Sequence, residues 1–544
     1  MLLLVGLAVA LIMPGATAET VQGFVTPPRF HVGAAAAVLD LPGVPVGEPL
    51  QVRALYVSDG GTADVVVSVP VRGWLAGYRD GARLGLTELR QQAAYQLATA
   101  FHPPVRPGLT GVVDGSGRLE DQAVTQGNIV VASVQCAACL DVSGREQPVD
   151  RLVLRAVYDQ TLAVILAAGR NARAATLEWA VAEAASATAS TVGLAGSDEG
   201  RAGDERLTVL RALDDDTGTT VGTIVSVPVA GVTVAGGPVS ADHLGAAARE
   251  LDARLGGITV PVPATLVDQV PLGRGGPDMQ LLSGRHGART AAAAAQALRN
   301  NARPVLDREV DASEVYQLVP GADLVAAGER SVLPPYLVGG AVGVWTTVLR
   351  IGEVAFVSQP GEALPHVTRA LREGLVGAAV VGVVGAAQDD LGPIGGPGLE
   401  GARSAAGPTL AQQSVEAALL AAGRVGYATS AVPPVAAAAP DASRYAAAGV
   451  QVLGVPRAAG EEGAGVPVLV VWADARLGLE RGAGTPRLLV DGREVVVTGT
   501  AGYGEAVLHG TGEHRLVALL PGTSASWRTC VRVLDPSTVV ACAN

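Results

Sequence analysis

Apolar residues return at every second position, or run unbroken, through many short stretches of this chain, and at helical spacing through a few longer ones. Pro49 to Pro70 reads as two β-rich runs folded back around Asp59-Gly60-Gly61. Thr87 to Phe101 carries Leu89, Ala93, Leu97 and Phe101 at helical spacing, with Thr87 expected as the N-cap. Asn128 to Val134 predicts a compact buried strand. Val149 to Gly169 predicts a long helix with Leu152, Val153, Ala156, Val157, Leu162 and Ile165 as its apolar positions. Strands near Leu207 to Leu213 and Val221 to Val229 lead into a helix opened by Ser240 and closed by Gly256-Gly257. Trp345 to Ser358 predicts a hairpin turning near Gly352. Pro360-Gly361-Glu362 is expected to open the next helix with a carboxylate at its positive end, and Val380 to Val384 to form another buried strand. This alternation of strands and helices predicts a mixed α/β fold.

From Val425 to Gly465 the pattern dissolves into Ala, Pro and Gly, which predicts a linker-like crossing and a domain boundary near 460. Val466 to Asn544 then holds about six short β runs between turns such as Asp491-Gly492 and Pro521-Gly522, the pattern of a small all-β, immunoglobulin-like sandwich. The expected organisation is a signal peptide over 1–18, an α/β domain over 19–460 and a β-sandwich over 461–544. The leader reading rests on an apolar run from Met1 that closes on Ala16-Thr17-Ala18, a small-residue cleavage pattern. Its missing basic segment leaves an uncleaved anchor as the alternative. Beyond the leader, no apolar run reaches about 18 residues without Gly, Pro or charge, so no stable membrane span is expected there.

Composition narrows the function classes. With 49% hydrophobic and 17% charged residues in 544, the chain can bury a sizeable core in more than one domain. The net charge is -12 and all 39 basic residues are Arg. That balance argues against a nucleic-acid surface, and the lack of lysine excludes a Walker-type phosphate site. Export permits disulfides. Cys530 and Cys542 flank Asp535-Pro536-Ser537, and a hairpin centred on Pro536 sets them opposite each other, so a bond between them is expected. Cys136 and Cys139 leave three outcomes open: a disulfide, two buried thiols, or a replacement metal site with Glu362 and Asp242.

Several segments, in order from Val32 to Leu453, resemble the N-terminal catalytic domain of the neutral and alkaline (non-lysosomal) ceramidases. Val32 to Gly47 is similar to that family's opening Gly-Ala run and turn, and Asn128 to Asp141 lies where the family has a strand ending in His-Thr-His-Ser-Gly-Pro. Val227 to Gly245 resembles its second histidine stretch, which runs into a Ser-Ala-Asp-x-Pro-Gly helix start. Trp345 to Leu364 resembles its hairpin and Pro-Gly-Glu turn, and Val383 to Gly395 its Ala-Asn-Asp-x-x-Gly-Tyr segment.

The resemblance implies a zinc held by two histidines, a glutamate and a tyrosine, acting on the amide of N-acylsphingosine. Carried over residue by residue, the first histidine falls on Gln135 and its motif partner on Ala137, the second metal histidine on Gly231 and the tyrosine on Pro393. Only Glu362 keeps a ligand type. The family's Gly-Asp-x-Ser-Pro stretch falls on Val267 to Pro271, which puts Val270 at the serine and leaves Asp268 as an acid. A hydrolytic zinc needs three N, O or S ligands and an open position, so no zinc is expected and no catalytic set is intact. Asp242 and Asp268 remain as remnant acid-base candidates. His243 and His366 lie in matching segments, where helix-start positions also explain them, and Asp389-Asp390 is expected in a solvated loop. The implied protein is an exported, inactive pseudoenzyme that binds a lipid, glycan or envelope protein. The alternative is an amide hydrolase with an altered metal site.

Overall fold

The computed structural model of the chain describes residues 29–77, 84–101, 124–134, 136, 138–143, 150–183, 188–190, 206–229, 231, 234, 238–266, 269–271, 279–320, 341–394, 410–432, 451–454, 466–471, 487–495, 498–500, 503–508, 512–519, 526–535 and 538–541. The largest sheet joins β1 (Phe30–Val38), β2 (Gln51–Ser58), β3 (Ala63–Val69), β4 (Ile129–Ser133), β5 (Arg173–Glu183), β6 (Arg206–Asp214), β7 (Thr220–Val227) and β8 (Ile258–Pro263). Their order is β8-β7-β6-β5-β1-β2-β3-β4, antiparallel except that β3 runs parallel to β4 and β7 to β8. A second sheet takes β9 (Val310–Pro320), β10 (Ala341–Ile351), β11 (Val354–Ser358) and β12 (Val380–Val384) in chain order, its last pair parallel. Six helices are described: α1 (Leu86–Phe101), α2 (Arg151–Arg170), α3 (Asp242–Leu255), α4 (Met279–Asn301), α5 (Pro365–Gly374) and α6 (Leu410–Arg424).

The layers explain the unbroken apolar runs. Side chains alternate across a strand, and a strand covered on both faces has no use for a polar face. In β2, Val52, Ala54 and Tyr56 pack with Leu89 and Leu97 of α1 and Val157 and Ile165 of α2. Leu55 and Val57 turn the other way, into a core shared with Leu349, Phe356 and Val384 of the second sheet. That sheet repeats the device, with Ala355 and Val357 against Val367 and Leu371 of α5 and Val415 of α6. Helices α3 and α4 cover the far half of the first sheet through Leu244, Leu251, Ala291 and Leu298, packed on Val209, Val225 and Val227. The result is a helix-sheet-sheet-helix sandwich. Gly33 lets the last turn of α2 press on β1, because a Cβ there would stand 2.0 Å from the Ala168 carbonyl oxygen. Gly352, at φ 60°, makes the β10–β11 turn where the sequence placed it.

Some expectations change. Helix α1 starts at Leu86, so Thr87 lies inside its first turn and is not the cap; the Leu86 and Thr87 N–H groups donate to the carbonyls of Leu75 and Ala76 instead. In α2 the cap is Asp150, whose carboxylate accepts from Leu152 and Val153. Leu152 is 73% exposed, because the buried face runs through Val153, Leu154, Val157 and Ile165. Glu362 does not open α5: it lies in a two-residue strand ahead of the helix, with Pro365 as the first helical residue.

The C-terminal part forms two antiparallel sheets from β13 (Gln451–Gly454), β14 (Val466–Val471), β15 (Arg487–Val490), β16 (Arg493–Val495), β17 (Thr498–Thr500), β18 (Tyr503–Leu508), β19 (Gly512–Leu519), β20 (Ser526–Asp535) and β21 (Thr538–Ala541). Their orders are β13-β14-β18-β17 and β16-β15-β19-β20-β21. Pairing of β13 with β14 brings in a strand that precedes the boundary expected near 460. Val531 pairs with Ala541, one residue inside Cys530 and Cys542. The expected Cys530–Cys542 bond itself, like residues 1–18, lies outside the described residues.

Candidate functional site

The positions that the family resemblance singles out lie just past the carboxyl ends of parallel strands, where open α/β sheets place their crevices. Cys136 follows β4, Gly231 follows β7, Glu362 follows β11 and Pro393 follows β12. Main-chain bonds knit these ends together. Cys136 and Gly231 form a parallel bridge, and Glu362 and Pro393 are cross-strand partners. The Ser133 N–H donates to the Ala386 carbonyl, the Ala386 N–H to Gly361, and the Glu362 N–H to Gly392. Ala363 also bridges Thr265, at the end of β8. The fold therefore brings together strand ends from both sheets. Gln135, Ala137 and Asp268 lie outside the described residues, and Val270 sits in a short strand paired with Thr188–Ser190.

Cys136 and Cys139 are joined in a disulfide with their Cα atoms 4.9 Å apart. Both are buried, within the core of β7, α3 and α4. The bond consumes the two sulfurs that a replacement metal site with Glu362 and Asp242 required, and among the described residues no three His, Cys, Asp or Glu groups are placed to hold a metal. The residue types also fail the zinc test: Gly231 has no side chain, Pro393 has no donor, and Glu362 alone cannot hold the ion against water.

Asp242 is fully buried and occupies a left-handed conformation at φ 52°, which a non-glycine residue adopts only where its surroundings enforce it. Those surroundings are visible. Its carboxylate accepts the N–H of Val234 at 3.0 Å and of His243 at 2.6 Å, and its own N–H donates to Ser240 Oγ at 3.0 Å. Burial pushes its pKa up, but His243, the Val234 N–H and the Ser283 hydroxyl outweigh that and hold it below the ordinary carboxylate range. Asp242 thus ties the segment after Gly231 to the start of α3. Glu48, from a distant loop, completes the turn by accepting from Ser240 Oγ at 2.6 Å and the Ala241 N–H at 3.0 Å. No local signal marked Glu48.

Asp389 and Asp390 are not in a solvated loop: they are 1% and 2% exposed. Asp389 accepts the Ala76 and Asp390 N–H groups, and Asp390 accepts that of Gly392. These bonds shape the loop that carries Pro393, a structural use for acids that resemble the family's motif. His366 falls in the first turn of α5, partly exposed. A surface hollow of ≈ 430 Å³ lined by Ala34, Asn171, Arg173, Thr220 and Gly257 lies elsewhere, at the amino ends of β7 and β8, and contains none of these residues.

The sequence matches no protein-family model and no curated protein. Among solved structures the chain is similar to a neutral ceramidase from Pseudomonas aeruginosa at 15% identity and a TM-score of 0.53, covering 93% of this chain and 98% of that one. It is also similar to a ceramidase complexed with C2, at 14% identity and a TM-score of 0.56, covering 92% of this chain and 98% of that one. The chain has the neutral ceramidase fold.

Proposed function

We propose that this chain is an exported protein that keeps the neutral ceramidase fold without its zinc chemistry, and that it works at the cell envelope by binding a lipid, a glycan or a protein. The observation that supports this reading is the residue set at the converging strand ends. Of the four ligand positions the resemblance implies, Glu362 alone offers a carboxylate, while Gly231 and Pro393 offer nothing and Gln135 is a neutral amide. A Lewis acid that activates water needs at least three protein ligands, so these strand ends are left for holding a partner rather than for zinc chemistry. Asp242, Asp389 and Asp390 are occupied with main-chain N–H groups that shape the fold.

The rival reading, an amide hydrolase with a rebuilt metal site, needs Glu362, Asp242 and a cysteine sulfur to converge; the Cys136–Cys139 bond counts against it. Metal content decides between them. Chelator-free protein purified without reductant, beside a Glu362→Ala variant, is expected to carry no stoichiometric zinc in either form and to leave N-acylsphingosine intact. One zinc per chain that disappears in the variant would overturn the pseudoenzyme reading.

A further inference from the structure

A ring of main-chain contacts closes around the start of α3. Cys136 and Gly231 form a parallel bridge, the Val234 N–H donates to the Asp242 carboxylate at 3.0 Å, and the Ser240 N–H donates to the Ala138 carbonyl at 3.0 Å. Ala138 lies inside the Cys136–Cys139 turn, so the disulfide fixes the carbonyl that holds Ser240. Two residues on, Asp242 keeps its left-handed backbone at φ 52°, a conformation that its surroundings enforce. The turn is therefore the part of the ring that a change of redox state can loosen.

The surroundings also suit the open state of the two sulfurs. Cys136 Sγ lies 2.9 Å from the Ser240 carbonyl oxygen. A disulfide sulfur carries no proton, so this approach gives no hydrogen bond while the bond is closed, whereas a thiol there donates to that oxygen. Cys139 Sγ lies 3.2 Å from the Cys136 main-chain nitrogen and accepts its N–H in either state. Both residues are buried, Cys139 at 7% exposed against 2% for Cys136, so Cys139 is the sulfur that a reductant reaches first.

We propose that Cys136 and Cys139 form a reversible redox switch that clamps the start of α3 when bonded and loosens it when reduced. One thiolate of a dithiol reductant attacks Cys139 Sγ, the S–S bond breaks, and Cys136 leaves as a thiolate that takes a proton and donates it to the Ser240 carbonyl. The reductant's second thiolate then displaces Cys139, which takes the second proton. The reductant ends as a disulfide, having given two electrons and two protons. With the turn open, the Ala138 carbonyl is no longer fixed under the Ser240 N–H, and the first turn of α3, Asp242 included, loosens. The Cys136 thiol keeps its hold on Ser240, so the opening is local. The switch goes beyond the function proposed above and stands on these contacts alone.

The test is hydrogen exchange on the full chain, read by mass spectrometry in unreduced protein, in protein reduced with dithiothreitol and in protein reoxidised with oxidised glutathione. Differential alkylation follows the state of each cysteine. The amides from Ser240 to His243 are expected to exchange about 10-fold faster once Cys136 and Cys139 are reduced, the order of one main-chain hydrogen bond, and to slow again on reoxidation, with α2 unchanged throughout. Cys136→Ala with Cys139→Ala gives the fast exchange without reductant and leaves Cys530 and Cys542 untouched. A Cys136–Cys139 bond that survives excess dithiothreitol in the folded protein overturns the proposal, as do equal exchange rates at Ser240 to His243 in both states. Loss of protection along the whole chain on reduction also overturns it, because the bond would then be a staple of the fold and not a switch.

Discussion

Two buried polar clusters of this molecule differ in how fully their groups are paired. Between the sheets, Arg90 is fully buried; its Nε donates to the Ile129 carbonyl, and its Nη2 to the Gln126 carbonyl and to Glu314. Glu314 also accepts from Gln126 Nε2 and Thr347 Oγ1, and Gln388 Nε2 donates to Ile129 and Thr347. At the start of α3, the equally buried His243 ring makes no close hydrogen bond, its Nδ1 standing 3.8 Å from Asp242 Oδ1. Most polar atoms kept in this core for architecture are paired, although Arg90 Nη1 and Gln126 Oε1 are not. A group left unpaired there costs stability, so the two clusters differ in how much desolvation their pairing offsets.

The comparison breaks most visibly at Arg90. Arg90→Met leaves the Glu314 carboxylate buried without its cation, and removing one partner of such a pair costs about 3–5 kcal/mol. Urea unfolding of the variant is expected to show a loss of that size, and Arg90→Met with Glu314→Leu to recover most of it. A loss under about 1 kcal/mol in the single variant would mean that the cluster is not structural.

Asp64 gives the next effect and tests the pairing rule within the structural cluster. It is fully buried, with Oδ1 accepting from Asn128 Nδ2 at 2.8 Å and Oδ2 without a partner. Burial raises its pKa well above the usual carboxylate value; the Asn128 amide opposes this, and Asp311 and Asp59 add to it. The folded state therefore holds a proton that the unfolded chain releases near pH 4. Stability from this group is present below about pH 4 and falls as pH rises towards the folded pKa, by up to about 1.4 kcal/mol per pH unit. Asp64→Asn removes that slope. Unfolding free energies of the two proteins across pH 3 to 7 should diverge upward in favour of the variant, and a constant difference would show that Asp64 titrates alike in both states.

The same contrast explains what could be read from the chain. Strands buried on both faces declared themselves as unbroken runs, as in Val380–Val384 and Ile129–Ser133, and Gly256 and Gly352 marked turns that need positive φ. Site positions were legible only through the order of resembling segments, and the fold does bring Cys136 beside Gly231 and Glu362 beside Pro393. What stayed hidden depends on contacts made across the chain. Asp389 reads as a loop acid because its N–H partner, Ala76, lies 313 residues away, and Glu48 reaches Ser240 across 192. Spacing alone leaves Cys136 and Cys139 open between bond, thiols and metal; packing closes the bond.

The smallest effect is the sharpest for the comparison. If the His243 ring makes no polar contact, replacing it with an apolar side chain removes a desolvation cost and loses only shape. His243→Leu is then expected to change unfolding free energy by less than about 1 kcal/mol in metal-free protein, in either direction, although the site is as buried as Arg90. A cavity penalty works against the gain, since the branched chain fills the ring's space imperfectly. Denaturant midpoints of His243→Leu and wild-type protein, both unreduced and metal-free, measure the balance. A loss above about 2 kcal/mol would mean that the ring is held by a partner such as Asp242, and that the cluster at α3 is paired by architecture in the same way as the one between the sheets.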